Sequence, residues 1–235
     1  MVRNLCIVQA RLTSTRLPNK VLMELGGSGL TLLEHVYNRL NKSKYIDKVV
    51  FAIPESKQND ELATFLSDKN IEFYRGSEDD VLSRFYECAI KYQPKFVVRA
   101  TCDNPLVDWE LIDYLFDQFG NADYISTDDT PLGTSAELFT MESLSEANKN
   151  AMYDEEREHV TPYIIRQKKS VLTSYNGLSY RLTVDEERDI EMMNKIYSHL
   201  YQDAPIPNKE VYKYLNQHPE VAEYNKSVHQ KELGE

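Results

Sequence analysis

Through its first half the chain alternates short apolar runs with amphipathic segments, and this alternation restricts its fold more than any other feature. Residues 5–8, 49–53, 71–74 and 96–98 are apolar enough to be buried strands, whereas residues 32–40, 61–66, 81–91 and 111–119 carry the three-to-four-residue apolar spacing of helices. That order predicts repeated βαβ units with right-handed connections, hence an α/β fold: a mainly parallel central sheet with helices on both faces. The loops that follow its strands then share one sheet edge, where open α/β folds bind ligands.

The pattern changes near Asp123. YIST, ELFT, VLTSY and RLTV read as further strands, with helices around residues 142–151 and 159–167 between them. An inserted segment over about 127–175 could cover a site on the sheet edge, extend the sheet antiparallel, or make a subunit contact. Residues 186–200 form another helix candidate, and from Pro205 a short helix leads into a polar tail, about 219–235, expected to be poorly ordered. With 235 residues and no repeat, low-complexity tract or Gly/Ser linker, residues 1–235 read as a single domain.

A net charge of −11 argues against a general nucleic-acid surface, which needs clustered Lys and Arg. The N-terminus lacks a signal-type apolar region, and no apolar run approaches the ~18 residues of a membrane span, so no membrane insertion and a cytoplasmic location are expected. Cys6, Cys88 and Cys102 lie far apart without metal-type or redox-type spacing, and are expected to be structural or incidental thiols.

On this acidic chain, residues 11–20 contain no carboxylate but carry Arg11, Ser14, Arg16 and Lys20 directly after the first apolar run. Guanidinium forks, hydroxyls and a movable ammonium suit phosphate oxygens. The segment lacks the G-x-x-x-x-G-K-[ST] spacing of a Walker loop, so side chains would do more of the binding. The same residue types also suit an ordinary solvated βα loop. Asp103 and Asp185 each follow an apolar run, and two carboxylates beside a polyphosphate could hold Mg²⁺, a hard ion that takes oxygen ligands. Each could equally be a turn or helix cap. The run Arg75, Gly76, Ser77 through Asp80 leads into a helix and could read a base or ribose, or Ser77 or Asp79 could simply cap that helix. Glu158 and His159 could shuttle protons, and a surface or structural histidine is the commoner alternative. The many tyrosines of the second half show no regular interleaving with basic residues and read as packing and interface groups.

Taken in order, QARLTSTRLPNKVL, LLEHVYNRL, YRGSEDDVLSRF, ATCDNPLVD, EREHVTPYI and RLTVDEERD resemble the cytidylyltransferases of the spore-coat polysaccharide type, relatives of CMP-sialic acid and CMP-Kdo synthetases. The resemblance implies a Rossmann-like nucleotidyltransferase fold, CTP as donor, Mg²⁺, and release of pyrophosphate when an acceptor oxygen attacks the α-phosphorus. It places Ala10 and Arg11 beside the nucleotide, Ser14, Arg16 and Lys20 on the triphosphate, Arg75, Gly76, Ser77, Asp80 and Thr101 in the nucleotide site, and the metal on Asp103 and Asp185. Arg11, Lys20 and Asp103 are then the catalytic set. Acceptor contacts fall on Ser135, Glu137, Arg157, Glu158 and His159, and similar enzymes pair through the inserted region, which implies a homodimer.

The sequence departs from the family pattern at Cys102, where a glycine is usual, and at Ser135, where Gly-Leu-Asp-Val-Glu becomes Gly133-Thr134-Ser135-Ala136-Glu137. Loss of that carboxylate implies an acceptor of different charge or hydroxyl pattern. The run Gly26-Gly27-Ser28-Gly29 lengthens the turn before the first helix. The expected function is therefore transfer of CMP from CTP to a sugar, sugar acid or other small polar acceptor for surface-glycan synthesis. Its alternatives are a sugar-phosphate nucleotidyltransferase using another nucleotide and a catalytically degraded nucleotide-sugar binding protein.

Overall fold

A computed structural model describes residues 2–230. Its single sheet has seven strands in the order β3-β2-β1-β4-β6-β5-β7: β1 Asn4–Gln9, β2 Lys48–Pro54, β3 Phe73–Gly76, β4 Phe96–Thr101, β5 Tyr124–Thr127, β6 Glu137–Thr140 and β7 Ser170–Thr173. Only β6 runs against its neighbours β4 and β5. Side-chain alternation divides the core into two layers. Cys6, Val8, Phe51, Ile53 and Val98 face α1 (Leu32–Leu40), α2 (Asp60–Asp68), α4 (Trp109–Gln118), α8 (Glu187–Leu200) and α9 (Asn208–Gln217). Leu5, Ile7, Val50, Val97 and Phe139 face α3 (Val81–Ile90), α5 (Met141–Asn150) and α7 (Pro162–Gln167). The mainly parallel sheet with helices on both faces is therefore as the sequence predicts.

Local chemistry sets the helix starts. Thr31 and Glu34 form a reciprocal capping box on α1, and Asp80, Asp108 and Thr140 cap α3, α4 and α5 through their side chains. Where the sequence reading is corrected, the cause is equally local. The third strand begins at Phe73 because the Ile71 amide is taken by the Leu66 carbonyl at the end of α2. One helix over 159–167 is two, α6 Asp154–His159 and α7, separated by Val160 at φ 69° and begun again at Pro162. VLTSY leaves the sheet after Thr173, and the Tyr175 amide donates to Asp129 instead.

RLTV is not a strand. Arg181 makes one isolated bridge to Leu132, and the chain then crosses the carboxyl end of β4, where the Val184 amide donates to the Asp103 carbonyl at 2.8 Å. Gly133, at φ 91°, permits this approach: a Cβ there would lie 2.4 Å from the Thr183 nitrogen. The expected polar tail is also corrected over its described part. Pro219–Ala222 is a helix, α10, with Val221 packed into the apolar core, and Asn225 is buried where it donates to the Arg181 carbonyl and the Asp189 carboxylate. Residues 231–235 of that tail lie outside the described residues.

Among the described residues no helix is long and apolar enough to cross a membrane. All three cysteines are buried free thiols, and burial raises the pKa of each. None is a reactive thiolate.

Candidate active site

Strand order reverses between β1 and β4, whose carboxyl ends lie side by side with Gln9 opposite Thr101. The crevice above such a switch point is where open α/β sheets hold ligands. Ala10, next in the chain, is buried in the core, and Arg11 turns out, exposed and without an ion pair among the described residues. The loop that follows is anchored at Leu12: its amide donates to Asn59, a fully buried side chain, and its carbonyl accepts from the Asn19 amide. Asn19 has a left-handed backbone, φ 60°, and starts the short 3₁₀ turn Lys20–Leu22. Ser14 is half-buried, and among the described residues its hydroxyl has a single 3.5 Å contact, from the Leu17 amide.

The turn directs Lys20 inward. Its Nζ donates to the Val184 carbonyl at 2.6 Å and to Asp185 Oδ1 at 3.0 Å, and stands 3.6 Å from Asp103 Oδ2. Both predicted metal carboxylates therefore meet at one cation. Arg16 reaches the same Asp185 oxygen at 3.1 Å and Glu186 at 3.5 Å, while Arg181 takes Asp185 Oδ2 at 3.0 Å. Burial raises the Asp185 pKa, but Lys20, Arg16 and Arg181 outweigh it and hold the carboxyl below the usual range. Behind it, the fully buried Asp189 accepts from the Asp185 and Glu186 amides and from Arg181. On the β4 side the Thr101 hydroxyl donates to Asp103 Oδ1 at 2.5 Å and accepts from Asn104.

This donor set fits a magnesium-type ion. Two carboxylates reach one point occupied by a positive charge, and among the described residues no third acidic, His or Cys ligand joins them. Mg²⁺ commonly binds one or two carboxylates and completes its shell with phosphate oxygens and water.

The remaining predicted positions divide. Asp80, rather than Ser77 or Asp79, caps α3, with the Ser77 hydroxyl accepting the Asp80 amide. Gly76 and Ser77 lie at the end of β3, and Glu78 meets Thr13 of the first loop at 3.4 Å. Arg75 is instead held by the Ser56 carbonyl and Asp60. Glu137 is enclosed by partners: Arg99, the Tyr124 hydroxyl at 2.6 Å and the Thr161 hydroxyl at 2.7 Å, with Arg99 also donating to Gln9. Arg157 holds the Asn148 and Ala151 carbonyls at the end of α5 and pairs with Asp80 at 3.3 Å. Ser135 joins a loose hydroxyl chain with Thr127 and Thr130. Glu158 is exposed and His159 half-buried at the end of α6, without a bond to either Ser135 or Glu137. Arg84, Arg181 and Asp189 are part of this edge and are not among the sequence candidates. The spacing of Arg181 and Asp189 about Asp185 was the available signal for two of them.

Lys20, Arg16, Asp103 and Asp185 gathered at the switch point of a mainly parallel sheet define an α/β protein with a candidate anion and metal site at that edge. The model of the cytidylyltransferase family matches residues 5–232, and the chain belongs to that family, making it a nucleotidyltransferase. Its sequence is 35% identical to an uncharacterized protein of Methanocaldococcus jannaschii, over 97% of both chains. It is 32% identical to the spore coat polysaccharide biosynthesis protein SpsF of Bacillus subtilis, covering 93% of this chain and 96% of that one. The solved structure of a cytidylyltransferase from Leptospira borgpetersenii superposes with a TM-score of 0.89 at 25% identity, covering 98% of this chain and all of the other.

Proposed function

We propose that this protein transfers CMP from CTP to a sugar, sugar acid or other small polar acceptor of surface-glycan synthesis, releasing pyrophosphate. The observation that carries this reading is Lys20, held between Asp103 and Asp185 at the β1–β4 switch point, with Arg11 exposed on the same loop. Lys20 and Arg16 sit on carboxylates through long side chains, so both can turn to triphosphate oxygens when these arrive. Arg11 and Ser14 extend that surface, and Gly76 and Ser77 border the base and ribose. In this reading Asp103 and Asp185 hold Mg²⁺, which supplies Lewis-acid polarisation of the phosphate being attacked.

The reaction forms a bond from an acceptor oxygen to the α-phosphorus and breaks the bond to the β-phosphate bridging oxygen, which leaves with its electron pair on pyrophosphate. Arg11, Arg16 and Lys20 act by opposing the charge that grows on the leaving group. A hydroxyl acceptor also loses a proton, whereas an anionic one does not. No covalent enzyme intermediate is needed. Ser135, in a hydroxyl-lined stretch with Thr127 and Thr130, is our candidate for reading the acceptor.

The same reading includes a cytoplasmic homodimer built on the inserted region. Exposed Met152, Tyr153, Ile165 and Leu172, the last on the free edge strand β7, support that surface.

A pyrophosphate-release screen with Mg²⁺, crossing the four common nucleoside triphosphates with a sugar and sugar-acid panel and identifying products by mass, tests the activity. The expected result is a CMP conjugate formed from CTP. Release from UTP or GTP with a sugar phosphate would replace this reading by the alternative donor, and no turnover with intact CTP binding would favour a binding protein.

A further inference from the structure

The loop after β3 is held from behind by a buried cation that, among the described residues, has no carboxylate within ion-pair distance. Arg84, in the first turns of α3, is 3% exposed. Its guanidinium donates to the Ser77 carbonyl and, at 3.4 Å, to the Glu78 carbonyl, while its Nε has no acceptor. Burial, reinforced by the like charge of Arg11, pushes its pKa down to about 10. The nearby Glu78 and Asp80 charges offset only part of that burial, and direct bonds to neutral carbonyls are a costly seat for a cation, so the position calls for a compensating role.

Peptide planarity points to one. In a trans peptide the carbonyl and the following N–H point in opposite directions. With the Ser77 and Glu78 carbonyls drawn toward α3, the Glu78 and Asp79 amides are turned away from it, and neither has an acceptor among the described residues. The β1 loop lies across from this segment, where Thr13 meets the Glu78 carboxylate. Gly76 keeps the assembly tight, since a Cβ there would lie 2.9 Å from the Tyr74 ring and 3.1 Å from Arg84 Cγ.

We propose that Arg84 is a positioning residue that fixes the Glu78 and Asp79 amides as a pair of donors for the pyrimidine of the nucleotide. The inference rests on the cytidylyl-transfer reading above. Cytosine offers two adjacent acceptors, O2 and N3, whereas uracil offers O2 but carries a hydrogen on N3. A fixed donor pair therefore accepts cytosine and leaves one amide facing a donor when uracil enters.

The test measures equilibrium binding of CTP, UTP and inorganic tripolyphosphate to the full chain, with thermal melts, for wild type, Arg84→Met, Arg84→Lys and Gly76→Ala. Arg84→Met is expected to lose about tenfold of the CTP-over-UTP preference, the scale of one hydrogen bond. Tripolyphosphate affinity should stay within about twofold, because that probe touches no base. Arg84→Lys should recover part of the preference, since the ammonium keeps the charge and the donors but lacks the longer, rigid guanidinium fork that sets both carbonyl directions. Gly76→Ala should lose preference by pressing on Arg84.

An unchanged preference in Arg84→Met would overturn the proposal, as would an equal loss for all three ligands. Should the methionine variant not fold, full wild-type preference in folded Arg84→Lys and Gly76→Ala overturns it in the same way. A wild-type protein that does not prefer CTP contradicts the parent reading instead, which separates the two failures.

Discussion

Two charged clusters stand on the carboxyl edge of the sheet, and they are built from different partners. At the β1–β4 crevice, Arg16, Lys20 and Arg181 share Asp185, while Lys20 also faces Asp103. Arg16 comes from a loop and Lys20 from the short turn that ends it, Arg16 and Asp103 are partly exposed, and Arg11 earlier in that loop has no ion pair among the described residues. Around Glu137, by contrast, Arg99 and the Tyr124 and Thr161 hydroxyls come from packed strands and a helix start, and each contact is specific. Cations shared on few carboxylates can be exchanged for a polyanion. A carboxylate enclosed by an arginine and two hydroxyls is bound into the fold.

The largest effect that would sharpen this contrast is expected at Lys20. Lys20→Ala should lower CTP-dependent turnover by about 10²–10³, or ~2.7–4 kcal/mol, the scale of one preorganised electrostatic donor, while circular dichroism stays native. Wild-type turnover in this variant would remove Lys20 from the chemistry. Next come the carboxylates. Asp103→Asn and Asp185→Asn should each raise the Mg²⁺ concentration needed for half-maximal rate by about 10- to 100-fold, at least what loss of an outer partner of a metal ligand costs. Asp185→Asn should also lower the melting temperature, because Arg16 and Arg181 lose their shared partner.

Stability should carry the pH signature of that pairing. Since the folded Asp185 pKa lies below its unfolded value near 3.9, the contribution is present above that pH and is lost as pH falls through the folded value. A pH series of melts compared between wild type and Asp185→Asn reads it directly.

Legibility from sequence follows the same division. Period and apolar runs identify the first four strands and their helices, because burial on a parallel sheet imposes a pattern on each segment by itself. RLTV escapes that logic: Leu182 and Val184 are buried not by sheet pairing but by crossing the end of β4, a contact made possible by Gly133 far away in sequence. Residue types bring Arg11, Lys20, Asp103 and Asp185 forward as candidates, and the structure gathers Lys20, Asp103 and Asp185 at one point, although the same types also serve as caps and loop residues. They do not distinguish Arg157, which ends a helix, from a ligand contact. They also miss Arg84, whose proposed role depends on the directions of the two carbonyls it holds.

A smaller effect is expected at Glu137. Glu137→Gln should destabilise the protein by about 1–3 kcal/mol in denaturant titration by leaving Arg99 incompletely paired, with CTP affinity of the folded fraction within about twofold of wild type. Strong loss of CTP binding there would merge the two clusters into one site. The smallest effect on the donor side belongs to Ser135→Asp, which adds a carboxylate to the Thr127–Thr130 hydroxyl chain. It should change the ranking of a sugar and sugar-acid panel while leaving CTP affinity nearly intact, and an unchanged ranking would place acceptor choice elsewhere.

Calorimetric titration of CTP with Mg²⁺ into wild type, Lys20→Ala and Glu137→Gln compares both clusters in one measurement. The expected result is a saturable CTP signal in wild type, its loss or severe weakening in Lys20→Ala, and its retention in folded Glu137→Gln. Equal binding by wild type and Lys20→Ala, or loss confined to Glu137→Gln, would contradict a nucleotide site at the β1–β4 crevice.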